Sequence, residues 1–242
     1  MIDSNDKYTY DAFVSFEQIE RENFVTNALI PGNGHYQAVK PDTFYQVTGN
    51  RYAGSKTPDA VRDLWATDRE VISWMESRYG KYDIDAAASA NNAVCEKFYS
   101  EQVNCLKIWW GSNKHIWLNP PYSHPDPFVK KAIEQMEHNN QIDMLLPGDN
   151  STAWFAEARR NAAEIIWIEA DITEIDQQEY CRTGRLAFIS GLTGKPVDGN
   201  NKGSVIFIMR NLKEGEAQKT TYVSVSDICP GVSRKKPRKR SV

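Results

Sequence analysis

No apolar run in these 242 residues is long enough to span a bilayer, and no leading signal segment is present, so a cytoplasmic protein with no membrane partner is expected. Cysteine is scarce: Cys95, Cys105, Cys181 and Cys229 are spread widely with no CxxC pair, which argues against a disulfide framework or a zinc site. Glycine-rich phosphate loops are missing too, since neither GxGxxG nor FxGxG occurs near the first predicted core strand. There is also no overall basic excess of the kind that attracts polyanions. The 29 Lys and Arg face 32 Asp and Glu, a net charge of −3.

What is there is the composition of an ordinary globular chain, 40% hydrophobic and 25% charged, sized for one α/β domain and an appendage. Its charge is unevenly placed. Arg234, Lys235, Lys236, Arg238, Lys239 and Arg240 put six positive charges into the last nine residues, leaving 23 basic against 32 acidic residues, about −9, on the body. Such a tail neutralises phosphates without reading sequence, solubilises the chain as a disordered segment, or in a eukaryotic cell acts as a nuclear signal. Residues 1–56 hold many aromatics (Phe13, Phe16, Phe24, Tyr36, Phe44, Tyr45, Tyr52) but no sustained period. Only a short helix around Phe13 to Glu20 and a turn at Pro31-Gly32-Asn33-Gly34 are predicted there.

Between these ends strands and helices alternate. Tyr82 to Ala88, Ile116 to Leu118, Ile142 to Leu146 and Glu164 to Ile168 read as buried strands. Thr67-Asp68-Arg69-Glu70 is a capping-box pattern with Thr67 as N-cap, opening a helix through Val71, Ile72, Trp74, Met75 and Tyr79 to Gly80. Further helices are predicted over Asn91 to Tyr99, from Pro125-Asp126-Pro127 through Met136, and after Ser151 or Thr152. The alternation predicts a mostly parallel sheet covered on both faces. Arg185 to Ser190 and Ser204 to Met209, joined by the Gly- and Asn-rich 191–203, read as an antiparallel hairpin at the sheet edge. The acidic run Glu169, Asp171, Glu174, Asp176, Glu179 reads as a solvated face, and His115 as a surface or satisfied polar residue rather than a base.

The chemistry concentrates in Ile116-Trp117-Leu118-Asn119-Pro120-Pro121-Tyr122-Ser123. Two prolines remove two backbone donors and fix two φ angles, so neither ladder nor helix continues through them. The resulting stiff turn holds an amide side chain, a free carbonyl and an aromatic ring together. The Asn119 oxygen and the Pro120 carbonyl can both accept hydrogen bonds from a planar amine, while the Tyr122 ring can stack on a base.

This stretch, with Asp63-Leu64-Trp65-Ala66-Thr67, Tyr82-Asp83-Ile84-Asp85-Ala86-Ala87-Ala88-Ser89 and Gly184-Arg185-Leu186-Ala187-Phe188, resembles the phage-type Dam family of DNA N6-adenine methyltransferases. The matching blocks cover roughly residues 57–210 in order. The resemblance implies a Rossmann-like class I methyltransferase fold with a mostly parallel seven-stranded sheet and an antiparallel edge hairpin. That domain would occupy 57–228, between an N-terminal extension (1–56) that packs on it or contacts DNA and a basic, disordered tail (229–242). It implies S-adenosyl-L-methionine as cofactor, double-stranded DNA as partner, no metal, and a bacteriophage protein of the restriction-modification kind acting in the bacterial host cytoplasm. Catalysis then falls to Asn119, Pro120, Pro121 and Tyr122, and cofactor binding to Trp65, Thr67, Asp85, Ala86, Ala87 and Asn119. The family usually has Pro after the threonine, whereas Asp68 here brings negative charge towards the cofactor carboxylate.

The family also suggests GATC as target, although no residue can be matched to a base. Only about thirty residues separate Asp85 from Asn119, so no target-recognition domain fits between them. Base reading falls to the N-terminal segment, to Tyr180–Gly203 or to the tail. Because the tetrapeptide accepts any planar amine, an RNA base or a protein glutamine amide competes as acceptor. The Asp68 substitution keeps a catalytically inactive nucleic-acid-binding protein in view.

Overall fold

The computed structural model describes residues 59–191, 193–197, 202–230 and 238–239. The elements expected before residue 57 and most of the basic tail lie outside the described residues. The described chain begins with α1 (Asp59–Arg62), β1 (Trp65–Ala66), α2 (Arg69–Tyr79), β2 (Ile84–Asp85) and β3 (His115–Leu118). It continues through α3 (Asp126–Met136), β4 (Gln141–Pro147), α4 (Ala153–Asn161) and β5 (Glu164–Glu169). Then come β6 (Asp171–Ile175), β7 (Gln178–Arg182), β8 (Phe188–Ser190), β9 (Pro196–Val197), β10 (Ser204–Met209), β11 (Lys219–Ser224), α5 (Val225–Ile228) and β12 (Arg238–Lys239).

The central sheet has six strands among the described residues, in the order β11-β5-β10-β4-β3-β2. β2, β3 and β4 run parallel, and β11 is parallel to β5. β10 is antiparallel to both of its neighbours, β4 and β5. Side chains of successive strand residues point to opposite faces, and both faces are covered. Ile116, Leu118, Ile142, Met144, Val205 and Phe207 pack with Val129 and Ala132 of α3 and Phe155 of α4. Trp117, Leu145, Ile206 and Ile208 pack with Val71, Ile72 and Met75 of α2 and with Phe188. Near-continuous apolar strands are what burial on both faces demands.

Two expectations need correction. The antiparallel strand lies inside the six described strands of the sheet instead of in an edge hairpin. All six residues of β10 are buried, and a strand without a polar face is stable only between two neighbours. Its expected hairpin partner pairs elsewhere: β8 joins β1 and β9 in a separate three-stranded sheet. Asn91 to Tyr99 forms turns and no helix, because Phe98 bridges to Asp85 and the Val94 amide donates to the Asp85 carboxylate. Within the tail, Arg238–Lys239 pair antiparallel with β7, whose outer edge offers free ladder groups on an acidic hairpin.

Candidate active site

Because β2 and β3 are parallel, with Asp85 opposite Trp117, the chain leaves both strands at the same edge of the sheet. One further bond, Ala86 N–H to the Trp117 carbonyl at 2.9 Å, extends the pairing past the end of β2. Asn119-Pro120-Pro121-Tyr122 follows β3 directly, where the prolines end the ladder. The carboxyl edge of an open α/β sheet is where such folds bind ligands.

Among the described residues, three side-chain oxygens at or beside this edge are buried without a hydrogen-bond partner: Asn119 Oδ1, Tyr122 Oη and Thr67 Oγ1. Leaving a buried polar group unpaired costs about 1–3 kcal/mol, so each of these atoms is a candidate contact for a polar ligand. Burial also raises the Tyr122 hydroxyl above its ordinary range, which keeps it neutral. The Tyr122 ring meets the edge of Phe188 at 5.8 Å and 87°, and Phe188 stacks on Trp65 at 6.1 Å and 22°. Trp65 is in place because β1 pairs with β8, Trp65 opposite Ser190. Gly191 closes this small sheet: its N–H donates to the Leu64 carbonyl at 3.1 Å, and a Cβ there would lie 2.4 Å from the same oxygen.

At the start of α2 the cap is Asp68 and not Thr67, with the Asp68 carboxylate accepting the Glu70 N–H at 2.9 Å. The expected capping box is therefore absent, and the Glu70 Oε2 atom is buried without a partner. Asp68 uses its charge on its own helix end, which leaves the Thr67 hydroxyl available. Arg69 ties this turn to the chain after β2 by donating to the Ala93 carbonyl at 2.7 Å.

Asp85 organises that chain. One carboxylate oxygen accepts from Ala87 N–H at 3.2 Å and the other from Val94 N–H at 3.1 Å. Burial pushes its carboxyl up to about 6, against the opposing pull of these two amides and of Arg69. Two bonds still leave acceptor positions free on a carboxylate. Ala86 is buried, and Ala87 and Ala88 present only methyl groups beside it.

Every residue singled out from the sequence thus lies at or beside one edge. Asn119 to Tyr122 leave β3, Asp85 to Ala87 leave β2, and Trp65 and Thr67 flank the start of α2. Sequence reasoning gave no role to Phe188 or Asp63, although both stand inside the quoted blocks. Asp63 accepts from Ser123 N–H at 3.2 Å and from Ser123 Oγ at 2.5 Å. Neither contact has a local sequence signal, because the partners lie 60 or more positions away.

The family model described as DNA N-6-adenine-methyltransferase (Dam) matches residues 54–231. A DNA N-6-adenine-methyltransferase of Escherichia phage T1 is 67% identical over 234 residues, covering 94% of this chain and 98% of that protein. Another of that description, from Haemophilus phage HP1 (strain HP1c1), is 34% identical over 176 residues, covering 72% of this chain and 94% of its own length. No solved structure matches at a significant level. With Asn-Pro-Pro-Tyr at a sheet edge and relatives matched over nearly their whole length, the chain belongs to the Dam family of DNA N-6-adenine-methyltransferases.

Proposed function

We propose that this protein moves a methyl group from S-adenosyl-L-methionine to the N6 amine of an adenine turned out of duplex DNA. The observation that carries this reading is the buried, unpartnered Asn119 Oδ1 at the carboxyl end of β3, beside the Tyr122 ring. The α/β sheet is read as a Rossmann-like class I methyltransferase sheet, with this edge as its ligand side.

The residues present fit the cofactor. Thr67 Oγ1, buried without a partner, can donate to the methionine carboxylate at the start of α2. Asp85 can accept from an ammonium or a ribose hydroxyl, and Ala86 and Ala87 let a ligand approach the backbone closely. Trp65 supplies apolar wall. When bound, the cofactor supplies a methyl group on a sulfonium, already a good leaving group, so positioning dominates the rate.

The acceptor nitrogen is a poor nucleophile because its lone pair is delocalised into the ring. Asn119 Oδ1 and the Pro120 carbonyl accept its two N–H bonds, draw it towards tetrahedral geometry and stabilise its growing positive charge. The prolines hold both acceptors in place before the substrate arrives. Tyr122 stacks on the base, which must leave the helix for its amine to be reached. No strong base is needed beforehand, because the methylated nitrogen is acidic and loses its proton to solvent.

The test is transfer of labelled methyl from S-adenosyl-L-methionine to unmethylated duplex DNA, with Asn119→Ala and an RNA substrate alongside. Label at N6 of adenine is expected, with kcat about 10²- to 10³-fold lower in the variant. Mapping the labelled sites reads out the target, for which the family suggests GATC. Label on RNA in preference to DNA would reject this reading.

A further inference from the structure

We propose that Asp63 is a positioning residue for the catalytic turn, acting through Ser123 to hold the Tyr122 ring where a flipped base stacks. This rests on the reading that Tyr122 stacks on the target adenine. The two prolines restrain positions 120 and 121, but the chain regains its freedom at Tyr122. The following residue is where that freedom is removed. Both oxygens of Asp63 engage Ser123, one its backbone N–H at 3.2 Å and the other its hydroxyl at 2.5 Å. A carboxylate holding a main-chain and a side-chain donor of one residue fixes that residue's orientation, and with it the peptide that leads out of Tyr122.

The same short segment reaches Tyr122 from its other side. Trp65, two residues after Asp63, stacks on Phe188, and Phe188 meets the tyrosine ring edge-on. Asp63 thus restrains the backbone after Tyr122 while Trp65 backs the ring that restrains its side chain. Ser123 is exposed and Asp63 is partly exposed, so their contact adds little to folding stability. Its effect lies in the geometry of the turn, where small displacements are costly to reactivity.

The experiment uses the full chain and duplex DNA carrying 2-aminopurine in place of the adenine that methylation mapping identifies. Fluorescence of the flipped base is compared for wild type, Asp63→Ala, Asp63→Asn, Ser123→Ala and Tyr122→Ala, with cofactor affinity and Tm measured for each. Asp63→Ala is expected to lower the flipped fraction and raise KM for DNA by about tenfold, leaving cofactor affinity and Tm near wild type. Asp63→Asn keeps one acceptor and should recover part of the loss. Ser123→Ala keeps the backbone donor and should fall between the two. If Tyr122→Ala lowers the signal and Asp63→Ala does not, the positioning role is rejected while the stacking reading stands. If Tyr122→Ala leaves the signal unchanged, the stacking reading fails and the proposal fails with it.

Discussion

The two ends of β3 bury polar groups under opposite conditions. Towards its amino end, Asp143 is fully buried and every neighbour is matched to it: His115 Nε2 at 2.8 Å, Tyr82 Oη at 3.0 Å and Gln141 Nε2 at 3.0 Å. At its carboxyl end, Asn119 Oδ1 and Tyr122 Oη are buried with nothing to bind. The first set completes its own hydrogen bonds and so is structural. The second lacks them among the described residues, as the proposed role of this turn in binding a substrate requires. Satisfaction of buried polar atoms, more than residue type, separates scaffold from site here.

The sharpest way to break this contrast is Asp143→Ala. It strips three donors of a common buried acceptor and should cost about 3–5 kcal/mol, lowering Tm by roughly 10 °C. Methyl transfer per folded molecule should stay near wild type. The same cluster sets a pH dependence. His115 Nδ1 faces the Lys81 carbonyl at 3.1 Å and Nε2 faces Asp143 at 2.8 Å, two acceptors that favour the doubly protonated ring. Burial lowers its pKa, but the hydrogen bond and charge of Asp143 outweigh that and leave it raised. A raised histidine contributes stability fully below the unfolded value of 6.5 and loses it as pH climbs through the folded pKa. Unfolding by urea across pH 6–9 should show that loss in wild type and not in Asp143→Ala.

At the other end, pH should act on the cofactor. The Asp85 carboxyl rises from 3.8 to about 6 through burial, so in the free protein the charged form is disfavoured. Stability from this group is present below 3.8 and declines as pH rises to about 6, the reverse of a salt-bridged aspartate. A cofactor that donates hydrogen bonds to Asp85 favours the charged form, so its affinity should fall as pH drops below about 6, by up to tenfold per pH unit. Calorimetry from pH 5 to 8 on wild type and Asp85→Asn checks this, with a flat profile expected for the variant. The smallest effect is Thr67→Val, which removes an unpaired buried hydroxyl at nearly constant volume. It should stabilise the free protein by about 1 kcal/mol while weakening cofactor binding, read by thermal shift with and without cofactor.

Much of the scaffold was legible in the sequence. β3, β4 and β5 are short apolar runs with clear stops, and α3 opens on Asp126-Pro127 where the proline pattern puts it. The position of the Asn119–Tyr122 turn at the end of β3 was legible because its groups are contiguous. What could not be read is set by distant partners. β10 has the look of an ordinary apolar strand, and its place between β4 and β5 follows from pairings some 60 and 40 positions away. The helical pattern of Asn91 to Tyr99 is overridden by a single carboxylate, Asp85. Thr67 satisfies the capping rule by residue type, yet Asp68 sits one position nearer the helix and takes the cap. Phe188 and Asp63 acquire meaning only once the chain has folded back on itself.

The interior position of β10 also fixes an order of events during synthesis. Until Ser204–Met209 emerges, β4 and β5 each present an open edge to the cell, and no earlier described strand fills the gap between them. At typical translation speeds the interval from Glu169 to Met209 lasts roughly 2–8 s. During it the nascent sheet is divided, with the carboxyl edge of β2-β3-β4 already formed in outline and β5 waiting apart. The last long buried strand to be made is the one that joins the two halves, so cooperative folding belongs to the nearly complete chain.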